Sequence, residues 1–257
     1  MELPQNRFKD AIRQRRKQVG LWVSLASNFS AEVVAHAGFD WVVIDMEHSP
    51  NEVMDVVGQL QAFQGTTTTP LVRPMWNDSV VVKRLLDIGA PGLVFPMVQS
   101  VEEARAAVSA TRYPPGGIRG VAGNQRANAF GRIKDYFKRV EEETCVIVQI
   151  ESRAAMAQAR EIASVDGVDG VFFGPADIAA DMGMLGQPAH PDVWEAIMPA
   201  ARAVMDAGKP VGTLISDMAL VRRLFADGFT FIAVATDLSL LIRGVDQALA
   251  EGRDATH

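Results

Sequence analysis

CVIVQIE (145–151) and GVFFGPAD (170–177) decide how this chain folds. Each opens on a short, continuously apolar run rich in β-branched or aromatic residues, the pattern of a strand buried on both faces of a parallel sheet. Each closes on a carboxylate, Glu151 or Asp177. A carboxylate just past such a strand end sits at the rim of the sheet, facing the crevice there. Two rims one strand–helix unit apart can share one hard cation between their oxygens.

The same rhythm extends outward in both directions. Strands are expected at VGLWVSL (19–25), DWVVID (40–45), TPLVRP (69–74) and GLVFPM (92–97), then at TCVIVQIE (144–151) and DGVFFG (169–174). PVGTLI (210–215) and FTFIAVA (229–235) complete the set. Amphipathic patterns of helical period lie between them, several stopping at a glycine (Gly38, Gly89, Gly208, Gly228) as left-handed caps require. Eight strand–helix units in 257 residues match a (β/α)8 TIM barrel, a single α/β domain spanning 1–257. A helix is expected within 1–18 and a frayed tail over 251–257. A doubly wound open sheet is the alternative, but no GxGxxG follows the first strand and no linker divides the chain. The longest irregular stretch, YPPGGIRGVAGNQRANAFGRI (113–133), separates the fourth and fifth strands.

Composition narrows the partners. A net charge of -6 argues against a nucleic-acid surface, and the one basic run, Arg13 to Gln18, reads as the solvated side of a helix whose other face carries Phe8 and Ile12. No apolar stretch approaches the roughly 20 residues that span a bilayer, and no signal-peptide core is present. The single cysteine, Cys145, cannot form a disulfide within the chain and reads as a buried core residue of a cytoplasmic protein.

In a barrel of this kind reactive groups project from the C-terminal strand ends. Those ends supply Asp45, Glu47 and His48 from IDMEHSP, Arg73 from VRP, Gln149 and Glu151 from VQIE, and Asp177 from GPAD. Ser216, Asp217, Thr236 and Asp237 also fall there, but each precedes an apolar helix and N-capping accounts for them. Capping is an alternative for Asp177 too, less so for Glu151, because Ser152 already suits that role. Asp87 reads as the polar face of a helix. Together, a histidine, an arginine and three or more carboxylates near apolar strand ends are costly to bury unless paired or bound to a cation. Two carboxylates with open positions suit Mg²⁺ or Mn²⁺, and a 2-oxoacid can chelate such an ion. The ion and Arg73 would then stabilise an enolate while His48 moves a proton. The six lysines (Lys9, Lys17, Lys83, Lys134, Lys138, Lys209) all lie outside the strands, which disfavours Schiff-base chemistry.

DWVVIDMEHSPN, PLVRP, GIRGV, VQIES and VFFGPADIAADMG together resemble the HpcH/HpaI aldolase family of metal-dependent pyruvate aldolases, over nearly the whole chain. The resemblance implies a divalent metal (Mg²⁺, Mn²⁺ or Co²⁺) on Glu151 and Asp177, and an acid/base dyad of His48 with Asp87. It implies Arg73 on the pyruvyl oxygen, and Gln149 with the backbone of Gly174, Pro175 and Ala176 around the 2-oxoacid. It also implies a last helix exchanged between subunits of a homo-hexamer, a trimer of dimers. Trp22 and Leu214 are further candidates for pocket walls, with core packing as the alternative, and Asp45 and Glu47 for support. Met46, Ser49 and GVAGNQRANAFGRI depart from the family's usual text; that loop is expected to shape the aldehyde pocket. The expected reaction is reversible aldol cleavage of a 4-hydroxy-2-oxoacid to pyruvate or hydroxypyruvate and an aldehyde, in aromatic or sugar-acid catabolism. Rival readings are a CoA-thioester lyase like the citrate-lyase β-subunit, which would need a basic groove for the nucleotide, and a non-catalytic sugar-acid-binding barrel.

Overall fold

The apolar runs become eight parallel strands that close on themselves in chain order, in a computed structural model that describes Met1–Thr256. They are β1 (Gln18–Val23), β2 (Trp41–Asp45), β3 (Thr69–Arg73), β4 (Gly92–Phe95), β5 (Cys145–Ile150), β6 (Gly170–Phe173), β7 (Val211–Leu214) and β8 (Phe231–Thr236). Pairing of β8 with β1 completes the ring, so the open sheet is ruled out. Helix α1 (Arg7–Arg13) precedes the barrel, and α2 (Asn28–Ala35), α3 (Val53–Ala62), α4 (Ser79–Asp87) and α5 (Val101–Thr111) follow the first four strands. Then come α6 (Tyr136–Glu143), α7 (Arg153–Met156), α8 (Ala159–Ala163), α9 (Pro175–Asp181), α10 (Pro191–Asp206), α11 (Met218–Ala226) and α12 (Asp237–Asp254). All four expected helix-stopping glycines take positive φ.

The interior is filled in layers. At the N-terminal end of the strands, α1 drives Phe8 up against Trp41 and Phe231, with ring centroids 5.2 and 5.4 Å away. Room for these aromatics comes from glycine. A Cβ on Gly20 would stand 2.3 Å from the Trp41 ring, and one on Gly212 2.2 Å from Phe231. Above them Trp22 packs on Phe172 at 5.3 Å and forms the floor of the opposite mouth. Cys145 is fully buried at the start of β5, and burial pushes its thiol well up.

Two segments differ from expectation. The loop 113–133 follows α5, which has already returned to the N-terminal end of the barrel, so it lies beneath the strands rather than at the mouth. It is stitched there by Arg126 Nη1 donating to the Ile88 carbonyl (2.6 Å) and by Arg119 meeting Asp87. The segment 251–257, expected to fray, continues α12 as far as Asp254, where Gln247 Nε2 donates to Glu251 Oε1 (2.8 Å) one turn on; His257 lies outside the described residues. Beyond Asp237, α12 leaves the barrel with Leu238, Leu241, Ile242, Val245 and Leu249 exposed along one helical face. Among the described residues no helix is long and apolar enough to cross a membrane.

Candidate active site

A cavity of about 390 Å³ opens at the C-terminal ends of the strands. Its chemistry begins with β2 and β3. The guanidinium of Arg73, almost wholly buried, grips Asp45 with two parallel bonds, Nε to Oδ1 and Nη2 to Oδ2, both 2.8 Å. Nη1 stands 2.7 Å from Glu47 Oε2, an ion pair whose angle leaves that oxygen without a hydrogen bond. The Arg73 carbon lies 5.1 Å from the Trp22 ring, so the plane is held from below as well. Burial opposes charge on Asp45, but the Arg73 bond and charge, with backbone N–H groups, hold its carboxyl below the usual range. Burial also opposes charge on Arg73, and Asp45, Glu47 and Glu151 more than offset it.

The turn after β2 is built by side chains to which the sequence assigns no role. Ser49 Oγ and Asn51 Nδ2 both donate to the Asp45 carbonyl, and buried Gln59 on α3 donates to Asn51 Oδ1 at 2.5 Å. Glu47 N–H donates to Asp45 Oδ1 (3.0 Å). This lattice fixes where Glu47 and His48 project. His48 is well exposed at the cavity lip, its Nε2 3.8 Å from Glu47 Oε1. Burial pushes the Glu47 carboxyl up, with Asp45 and Asp177 adding to the rise against Arg73 and His48.

Glu151, at the end of β5, is 3% exposed. Its Oε2 accepts from Met97 N–H (2.8 Å) and its Oε1 from Gln149 Nε2 (3.1 Å). A Cβ on Gly174 would come within 2.5 Å of Glu151 Oε1, so glycine there lets the carboxylate lie against the β6 rim. Burial raises its carboxyl to about 7; Glu47 and Asp177 add to this, while the Met97 bond and Arg73 oppose it. Asp177 lies exposed in the first turn of α9, whose cap residue is Gly174. It caps nothing and makes no hydrogen bond or ion pair among the described residues, whereas Ser152 does cap α7 as expected.

Among the described residues no three His, Cys, Asp or Glu side chains form a ready metal cage. The donor set nonetheless suits a divalent cation. Glu151 is buried beside two other carboxylates with only two neutral donors, and Asp177 is unengaged across Gly174. Glu151 and Asp177 could hold such an ion, leaving open positions for substrate oxygens and water.

Of the predicted residues, Trp22, Asp45, His48, Arg73, Gln149 and Glu151 line this one cavity. So do Gly174, Pro175, Ala176, Asp177 and Leu214, with Glu47 bridging Arg73 and His48. Asp87 does not join them. It ends α4 at the other end of the barrel, where Arg119 Nη2 donates to its Oδ1 (2.9 Å), so the His48–Asp87 dyad does not form within one chain. GVAGNQRANAFGRI (120–133), expected to shape the aldehyde pocket, contributes no residue to the cavity of its own chain. A larger polar groove of about 710 Å³ lies at that far end, but Lys9 and Lys209, on its wall, already donate to the Thr144 and Val168 carbonyls. Ser24, Phe172 and Thr236, on strands or strand ends of β1, β6 and β8, also line the cavity, together with Pro188, Ile215, Ser216 and Leu238.

The protein-family model described as HpcH/HpaI aldolase/citrate lyase matches residues 18–244. A 4-hydroxy-2-oxo-heptane-1,7-dioate aldolase from Salmonella dublin is 51% identical over 246 residues, covering 95% of this chain and 94% of that protein. Among solved structures, an HpcH/HpaI aldolase/citrate lyase family protein from Burkholderia cenocepacia superposes with a TM-score of 0.93 at 42% identity, over 97% of this chain and all of that one. An HpcH/HpaI aldolase from Desulfitobacterium hafniense gives 0.88 at 29% identity, over 95% of each.

Proposed function

The chain belongs to the HpcH/HpaI aldolase/citrate lyase family, and from that premise we propose that it cleaves a 4-hydroxy-2-oxoacid to pyruvate, or hydroxypyruvate, and an aldehyde. The observation that carries the proposal is Glu151, a carboxylate buried beside Glu47 and Asp177 and beneath a preorganised arginine. A divalent ion such as Mg²⁺, Mn²⁺ or Co²⁺ held by Glu151 and Asp177 would supply positive charge against the 2-oxo oxygen as electrons move onto it. Arg73 has five N–H donors; two hydrogen-bond Asp45, Nη1 meets Glu47 as an ion pair only, and the remaining N–H groups can reach the same oxygen. Because Asp45 fixes the guanidinium in place, that charge needs no rearrangement as the enolate forms.

The step balances without any redox partner. The C4 hydroxyl gives up its proton, the C3–C4 bond breaks, the aldehyde leaves and the electron pair passes to the enolate. A proton then returns to C3. His48 suits both transfers, with Glu47 as its carboxylate neighbour within the chain. Gln149 donates to Glu151, and Gly174 gives that carboxylate its space beside Pro175 and Ala176. The small-molecule partners are thus a 2-oxoacid and an aldehyde. The exposed apolar face of α12 supports a homo-oligomer, a hexamer of three dimers with this helix exchanged between copies.

The test is cleavage of 4-hydroxy-2-oxoheptanedioate, which would yield pyruvate and succinic semialdehyde. Borohydride added with pyruvate should leave the mass of the chain unchanged. A lasting covalent adduct would overturn the metal-enolate reading in favour of a lysine imine.

A further inference from the structure

Asp237 is 5% exposed and has no arginine, lysine or histidine partner among the described residues, yet four donors converge on its carboxylate. Ser24 N–H and Ser24 Oγ donate to Oδ1 at 2.9 and 3.0 Å, and Leu238 N–H donates to the same oxygen at 2.8 Å. Leu25 N–H donates to Oδ2 at 3.2 Å. Helix capping does not explain this cluster, because Thr236 is the cap of α12: its hydroxyl accepts from Ser239 N–H at 2.9 Å. Asp237 instead pins the turn after β1 to the first turn of α12.

What it pins is one arc of the cavity. Going round the barrel, β2, β3, β5 and β6 carry Asp45, Arg73, Glu151 and the turn to Asp177, the side suited to a 2-oxoacid. The remaining strands β7, β8 and β1 are neighbours in the ring. They bring Leu214, Thr236 with Leu238, and Ser24 to the cavity wall, while Trp22, earlier on β1, stays stacked against Arg73. This arc is the part of the cavity wall that faces away from the enolising groups.

Building on the aldolase reading above, we infer that Asp237 is a positioning residue for aldehyde recognition, setting the spacing of Ser24 against Thr236 and Leu238 through its four-donor clasp. Its side chain touches no reacting atom. Its loss lets the β1 turn and the α12 start separate, which loosens the aldehyde wall and leaves the enolising side of the site intact.

Two rates measured on the same intact protein test this. One is exchange of pyruvate C3 protons in D₂O without aldehyde, which reads enolisation alone. The other is aldol addition of pyruvate to a panel of aldehydes. For Asp237→Ala, KM for aldehyde should rise about tenfold or more, the scale of losing charge-assisted hydrogen bonds. Discrimination between long and short aldehydes should narrow, with proton exchange within about twofold of wild type. Asp237→Asn keeps one accepting oxygen for Ser24 and Leu238 but turns an amide toward Leu25 N–H, so it should fall between. If Asp237→Ala does not fold, Asp237→Asn carries the same split. Exchange and addition falling in parallel, or neither changing, overturns the inference. A wild-type protein lacking both rates would instead refute the aldolase reading on which it rests.

Discussion

Replacing Gly174 with alanine perturbs one point of the site and little else. Gly174 has φ -94° and ψ 91°, a conformation alanine adopts without strain, so the effect is confined to the space its side chain enters. The new Cβ would meet Glu151 Oε1 at 2.5 Å, Cγ at 2.8 Å and Cδ at 3.0 Å. Ordinary non-bonded carbon contacts begin near about 3.5 Å, so the carboxylate must retreat by roughly 1 Å. That movement disturbs the bonds from Gln149 (3.1 Å) and Met97 (2.8 Å), which orient it. A misplacement of this size costs about 100-fold in a site whose function depends on position. Overpacking costs about 1–3 kcal/mol of stability, which should leave the barrel folded at 25 °C. Calorimetric titration with Mn²⁺ should therefore show weakened binding, and a pyruvate-coupled assay should show kcat/KM down about 100-fold, with an unchanged circular dichroism spectrum. Wild-type Mn²⁺ affinity and turnover in Gly174→Ala would refute the placement of the metal on Glu151.

Arg73→Lys keeps the charge but gives up the paired bonds to Asp45, so kcat should fall about 10²–10³-fold, as for loss of a preorganised oxyanion donor, while the fold persists. Steady-state kinetics decides it, and a loss under threefold would deny Arg73 its role. Leu241→Asp with Val245→Asp places two charges on the exposed face of α12, and light scattering should show a smaller assembly than wild type. An unchanged mass would mean that this face is not the interface.

The barrel and the two strand-end carboxylates are legible in the sequence because both depend on order along the chain: a buried run makes a strand, and its last residues reach the mouth. Glu151, Asp177, Arg73 and His48 follow from that rule alone. Asp87 came instead from resemblance, and within one chain it is bound by Arg119 far from His48. The position of 113–133 could have been read, since a loop that follows a helix and precedes a strand lies at the N-terminal end of the barrel. Asn51 and Gln59 carry no such signal, and Asp237, though it falls at a strand end, reads there as a helix cap. Their work is hydrogen bonding between segments, and in the case of Asp237 the segments are 213 residues apart. Polar residues in turns look alike until the chain has closed.

In the proposed reaction a divalent ion and Arg73 together stabilise the enolate of a 2-oxoacid. The most direct measurement is exchange of pyruvate C3 protons in D₂O, followed by NMR, on purified protein before chelation, after it, and after return of Mg²⁺ or Mn²⁺. Exchange should stop on chelation and recover with the metal. Exchange that continues unchanged in the chelated protein would contradict the account.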